Sequence, residues 1–198
     1  MSTPRSGSCT RTTKETSISA AVEIDGRGEF RGTTGLGFLD HMLTGLAAHS
    51  RFDIALRCEG DLRVDDHHTV EDCALALGTA LDSALGERRG IARFGFAYAP
   101  LDEALARVVV DLSGRPFSSV HLALVRERLG DVACENLTHF FASMAVSMRG
   151  ALHVDVLRGA NDHHKSEAAF KALAVALRQA CAMDPSRSDV PSTKGTLQ

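Results

Sequence analysis

Two short stretches hold the densest chemistry of the chain. "DDHHTVEDC" (65–73) supplies His67, His68 and Glu71, and "NDHHKSEAAF" (161–170) supplies His163, His164 and Glu167. The two copies lie 96 positions apart. A lone histidine precedes each, His41 in "FLDHML" and His139 in "LTHFF", and these lie 98 apart. Successive side chains on a helix diverge by about 100°, so adjacent histidines cannot easily grip one ion. Positions three or four apart share a face, so Glu71 can stand beside His67 or His68, and Glu167 beside His163 or His164. Adjacent histidines then point at two different centres. Six histidines and two glutamates divide evenly into two sites, each of three imidazoles and one carboxylate. With no thiolate in the pattern, Mn, Fe, Co, Ni or Zn all suit it. A single His–His pair is ordinarily a solvated surface feature, and a lone helical histidine a hydrogen-bonded core residue. Repetition of the whole pattern is what argues for metal.

A second set of groups is cationic. Lys171 lies four residues after Glu167 and eight after His163, on the same helix face. Arg93 in "GIARFG", Arg115 in "LSGRP" and Lys194 in "PSTKG" sit in Gly- or Pro-marked loops, and Ser192 adds a hydroxyl. Together they could clamp a phosphate, although each alone reads as a solvated charge. His49, His121, His153 and the cysteines read as structural or surface residues.

Positioning these groups requires helices and strands in a repeated order. Residues 1–12 read as a loose tail. "TSISAAVEIDGRGEF" (16–30) predicts a strand with a hairpin connection. Apolar spacing predicts helices over 35–50, 66–90, 135–151 and 162–184, with strands over 51–60, 102–117, 118–128 and 152–159. The order repeats: strand pair, helix with one histidine, strand, helix with the His–His–Glu motif. An internal duplication of a roughly 90-residue α+β unit follows. Each half would bury its core by packing its helices against the other half.

The bulk properties fit a globular protein of 198 residues, 44% apolar and 24% charged. With a net charge of −3 and no basic block, nothing favours a nucleic-acid surface. Five cysteines with no CxxC pair suggest free thiols in a reducing compartment. The N-terminus lacks the apolar core of a signal peptide, and no apolar run approaches membrane-span length. A cytoplasmic protein is expected.

The chain resembles the imidazoleglycerol-phosphate dehydratases of histidine biosynthesis from about Arg11 to Leu197. The resemblance rests on "TKET" (13–16), "GFLDHML" (37–43), "DDHHTVEDCALALGTAL" (65–81), "GIARFG" (90–95), "PLDEAL" (100–105), "DLSGRP" (111–116), "THFF" (138–141), "GANDHHKSEAAFKAL" (159–173) and "PSTKG" (191–195). It implies two similar α+β halves, each a four-stranded sheet with two helices on one face, as in domain 2 of ribosomal protein S5. The implied division is a flexible tail (1–12), a first half (13–95), a second half (96–184) and a substrate-binding tail (185–198), whose Ser/Pro/Gly content suggests that it orders only when substrate binds. The resemblance further implies particles of 24 subunits built from trimers, with metal sites between subunits.

In the family, two Mn²⁺ ions per site are held by residues matching His41, His67, His68, Glu71, His139, His163, His164 and Glu167. The implied reaction removes water from imidazole glycerol phosphate through an imidazolate bound between the two ions, giving imidazole acetol phosphate. Glu167 would be the base for the C–H, and Glu15 in "TKET" a second acid/base at the departing hydroxyl. Arg93, Arg115, Lys171, Ser192 and Lys194 would hold the phosphate. Two departures stand out: Gly45 where relatives often carry Gln, and Cys73 where Gly is common. No histidinol-phosphatase domain is present in these residues. The residue pattern by itself also accommodates a dinuclear phosphate-ester hydrolase, or a metal-buffering shell with no catalysis.

Overall fold

A computed structural model describes residues 4–197. Its first sheet contains β1 (Ser6–Thr12), β2 (Thr16–Glu23), β3 (Phe30–Thr33) and β4 (Asp53–Gly60), in the order β1-β2-β4-β3. Helix α1 (Gly37–Ser50) joins β3 to β4, and α2 (His67–Leu85) follows. The second half repeats the plan. Its sheet holds β5 (Phe94–Leu101), β6 (Ala104–Asp111), β7 (Phe117–His121) and β10 (Ala151–Arg158), ordered β5-β6-β10-β7. A short ribbon of β8 (Arg128–Leu129) and β9 (Val132–Ala133) leads into α3 (Cys134–Ser147), and α4 (Asp162–Cys181) comes last. The duplicated α+β architecture is therefore present, with each strand order matched between halves.

Strand alternation explains the layering. In β2, Thr16, Ile18, Ala20 and Val22 are buried while their neighbours face out. Helix α1 buries Leu39, Met42, Leu43, Leu46 and Ala47, the spacing of a single apolar stripe. Helices α2 and α4 are buried on more than one side, because each packs on its own sheet and against a helix of the other half. The helix pairs are α1 with α4 and α2 with α3, so each pair joins the two halves.

Several sequence expectations need correction. Residues 6–12 are not a loose tail: they form β1, which pairs antiparallel with β2 along its length. Their polar residues misled because one face of this edge strand is open to solvent. The stretch 16–30 does not make a hairpin. β3 runs parallel to β4, which lies between β2 and β3. Strand β5 carries Phe94, Phe96 and Tyr98 outward, alternating with Gly95, Ala97 and Ala99 inward, and small inward residues hid it. A division at 95/96 falls inside β5, all of which pairs with β6. The strand expected over 118–128 ends at His121. Residues 185–197 contain no helix or strand, yet backbone bonds join Gly90 N to Asp189 O and Asp184 N to Gly90 O.

Two glycines set the helix–sheet distance in equivalent places. A Cβ on Gly7 of β1 would meet Ala80 O at 2.3 Å, and one on Gly95 of β5 would meet Ala176 O at 1.9 Å. Backbone atoms cannot yield as a side-chain tip can. Gly95→Ala is therefore expected to cost about 1–3 kcal/mol through overpacking, read as a lowered denaturant midpoint. An unchanged midpoint would show that β5 and α4 can part without cost.

Candidate metal centres

Each His–His pair opens a helix. His67 and His68 begin α2, and His163 and His164 lie in the first turn of α4, where the Asn161 side chain accepts the His163 backbone N–H at 2.9 Å. The neighbours point apart as helix geometry demands. The ring planes of His67 and His68 lie at 75°, and those of His163 and His164 at 90°.

Two clusters result, each built from both halves. His41 of α1 meets His163 and Glu167 of α4, and His139 of α3 meets His67 and Glu71 of α2. In the first, His41 Nε2 and His163 Nε2 each lie 3.3 Å from Glu167 Oε2. In the second, His139 Nε2 is 3.1 Å from Glu71 Oε1 and His67 Nε2 is 3.8 Å from Glu71 Oε2. Donor atoms each about 2.1 Å from a shared ion stand about 3.0–3.4 Å apart, and three of these four spacings fall in that range. Among the described residues His139 Nε2 is buried without a hydrogen-bond partner despite its closeness to Glu71. A buried nitrogen in that state suits a lone pair kept for a cation. The residues therefore fit a metal.

The helix argument left open which histidine each glutamate would join; the structure selects His67 and His163. Within one chain each cluster gathers two imidazoles and one carboxylate, because His68 and His164 are turned to the outside. His68 Nδ1 lies 3.1 Å from Asp61 Oδ2, and its Nε2 lies 3.6 Å from Glu15 Oε1. His164 Nδ1 lies 2.7 Å from Glu103 Oε2, with Asp102 Oδ2 4.0 Å from its Nε2. Glu15 sits at the β1–β2 turn, and Asp102 and Glu103 at the matching β5–β6 turn. The hydrogen bond to Asp61 holds His68 above the usual imidazole range, and that to Glu103 does the same for His164. Glu103 is drawn down to about 2, chiefly by the Asn161 backbone N–H and by His164.

Asp61, Asp102, Glu103 and Asn136 belong to these surroundings and were missed in the sequence. Asp61 lies seven residues before His68 and Glu103 lies 61 before His164, spacings that carry no helical signal. His49, His121 and His153 join neither cluster among the described residues. A Cβ at Gly45, one turn after His41, would meet nothing within 4 Å, and Cys73 is fully buried.

The cationic groups do not converge within the chain. Arg93, at φ 71°, hydrogen-bonds Asp111 Oδ1 at 2.7 Å and Pro191 O at 2.8 Å, and lies over the Phe94 ring. That brings the stretch carrying Ser192 and Lys194 to Arg93, and Arg115 is exposed in the turn after Asp111. Lys171 is elsewhere. Its Nζ lies 2.7 Å from Glu167 Oε1, whereas the Arg93 amide bonds Ala180, nine residues or about 13 Å further along α4.

Burial alone would raise the Glu167 carboxyl, but the hydrogen bonds and charges of Lys171 and His41 carry it below the usual range. Lys171→Met should therefore move the Glu167 carboxyl to a higher pKa in metal-free protein, followed by its side-chain carbon shift against pH. No upward movement would show that Lys171 does not hold this carboxylate in its ionised form.

The chain has relatives in sequence and in fold. The imidazoleglycerol-phosphate dehydratase family model matches residues 34–177. An imidazoleglycerol-phosphate dehydratase of Candida glabrata is 53% identical, covering 94% of this chain and 97% of its own. One from Phytophthora nicotianae is 58% identical over 98% of this chain, which spans 42% of that longer protein. Among solved structures, imidazoleglycerol-phosphate dehydratase of Staphylococcus aureus matches with TM-score 0.81 and 35% identity, covering 90% of this chain and 99% of its own. The Pyrococcus furiosus enzyme in complex with (S)-C348 matches with TM-score 0.82 and 38% identity, covering 96% and 100%. Sequence and fold thus agree, and the chain belongs to the imidazoleglycerol-phosphate dehydratase family of hydro-lyases.

Proposed function

We propose that this family's dehydration of D-erythro-imidazole glycerol phosphate to imidazole acetol phosphate is metal-dependent in this chain, with two Mn²⁺ ions per active site. The observation that carries it is the pair of His–His–Glu clusters, one containing a buried nitrogen without a hydrogen-bond partner. His41, His163 and Glu167 would hold one ion, and His67, Glu71 and His139 the other. His68 and His164, turned outward from these clusters, would complete sites on neighbouring subunits. When bound, the ions would supply Lewis acidity for negative charge that builds on the substrate's imidazole.

The chain's carboxylates would handle the protons. Glu167 takes the proton from the carbon beside the one losing its hydroxyl. Its Oε1 is held by Lys171 in the free chain, and a substrate phosphate that drew Lys171 away would free that oxygen and strengthen it as a base. Glu15, half-exposed beside His68, would deliver a proton to the departing hydroxyl. Water leaves, and the resulting enol becomes the ketone. Arg93, Arg115, Ser192 and Lys194 would hold the phosphate together with Lys171, drawn from more than one subunit because one chain does not gather them. Ordering of 185–198 on substrate belongs to the same proposal.

The outer sheet faces support self-association. Phe94, Phe96, Tyr98, Val109 and Phe117 are exposed on the second sheet, and an aromatic face of this kind suits a subunit contact. We assign the chain to a 24-subunit particle built from trimers. Five free cysteines suit a cytoplasmic setting; among the described residues no helix is long and apolar enough to cross a membrane.

Metal-stripped protein given substrate should form ketone only after Mn²⁺ is restored, without releasing inorganic phosphate. Glu167→Gln should lower that rate by roughly a hundredfold or more. Phosphate without ketone would instead identify a hydrolase. Chelation should also reduce the particle to smaller units, read by light scattering, and an unchanged mass would count against ligands shared between subunits.

A further inference from the structure

Asn136 of α3 links the His67 ring to a buried carboxylate. Its Nδ2 donates to Asp66 Oδ2 at 2.9 Å, and its Oδ1 faces His67 Nδ1 at 3.0 Å. Asp66 is 3% exposed and also accepts from Ala133 N at 2.8 Å and Arg128 Nη2 at 3.1 Å. A carboxylate among three donors can only accept, so the amide must turn its NH₂ toward Asp66 and its carbonyl toward His67. The carbonyl can likewise only accept. His67 therefore carries its proton on Nδ1 and its lone pair on Nε2, the nitrogen that faces Glu71.

The duplicated half lacks this device. Asn136 stands three residues before His139, and the position three before His41 is Phe38. Phe38 meets the His163 ring edge-on at 5.3 Å, and among the described residues no protein group hydrogen-bonds His163 Nδ1. The carboxylates differ too. Four residues after Glu71 stands Leu75; four after Glu167 stands Lys171, which already partly neutralises it. One centre thus offers an imidazole with its tautomer set and, among the described residues, a carboxylate without a Lys or Arg partner. The other offers neither.

We infer that Asn136, oriented by Asp66, is a positioning residue that presets His67 for metal, and that the His67–Glu71–His139 centre takes its ion ahead of the His41–His163–Glu167 centre. This rests on the metal reading above. Nothing in the fold's symmetry requires the difference; it comes from two pairs of residues that diverged between the halves.

The test is Mn²⁺ titration of metal-free, full-length protein without substrate, with free ion counted by electron paramagnetic resonance. Wild-type protein should show two classes of site. Asn136→Ala, which removes the acceptor without adding bulk, should weaken the tighter class roughly ten- to a hundredfold and leave the weaker class unchanged. If that variant fails to fold, Asn136→Ser keeps a polar group beside Asp66 but is too short to span to His67, and should give the same selective loss. One class of equivalent sites in the wild type, or equal weakening of both classes, would overturn the inference while leaving the metal reading intact. No uptake of Mn²⁺ at all would overturn both.

Discussion

The divergence of adjacent side chains on a helix governs this structure. His67 and His68 cannot face one point, nor can His163 and His164, so each pair must serve two directions. The inward member needs a partner helix bearing another imidazole. Helices α1 and α4 meet for one cluster, and α2 and α3 for the other. The fold satisfies this by pressing the helices of one half against those of the other. Core packing and site assembly are therefore the same contact: Leu39, Met42, Leu43 and Leu46 fix α1 against its surroundings and with it the reach of His41.

The electrostatics follow from the same placement. Imidazoles at helix starts sit where the backbone dipole disfavours positive charge. Carboxylates surround them: Glu71 and Glu167 inward, Asp61 and Glu103 outward. Asp61 and Glu103 act on Nδ1, and the Nε2 of each outward histidine faces a second carboxylate, Glu15 for His68 and Asp102 for His164. They come from different places in their halves, Asp61 just after β4 and Glu103 from the β5–β6 turn. The duplicated fold thus reached the same orientation by two routes.

Much of this was legible in the sequence because its signals were local. The His–His–Glu spacing, the upstream histidines and the apolar stripes of the four helices all lie within a turn or two of chain. The duplication was visible because both halves kept those local patterns. What stayed hidden depended on pairing across distance. The parallel alignment of β3 with β4 has no marker in "FRGT", and β1 has too few apolar residues to look like a strand. Which histidine joins each glutamate depends on where the opposite half places His41 and His139. The sequence likewise suggested one phosphate clamp from residues that a single chain keeps on two sites, because loop composition says nothing about direction.

The mixed ancestry of each cluster has a historical consequence. A free-standing half, with one lone histidine and one His–His–Glu helix, would own the parts of a centre but could not bring them together. Only a two-fold pair of such halves would complete it, and would do so twice, identically. Holding the halves in one polypeptide makes their association permanent rather than dependent on concentration. It also released the two centres from identity. In a symmetric pair any substitution appears at both sites, whereas in the joined chain Asn136 and Phe38, or Leu75 and Lys171, can be chosen separately. Covalent fusion thus made it possible for one site to specialise without dragging the other along.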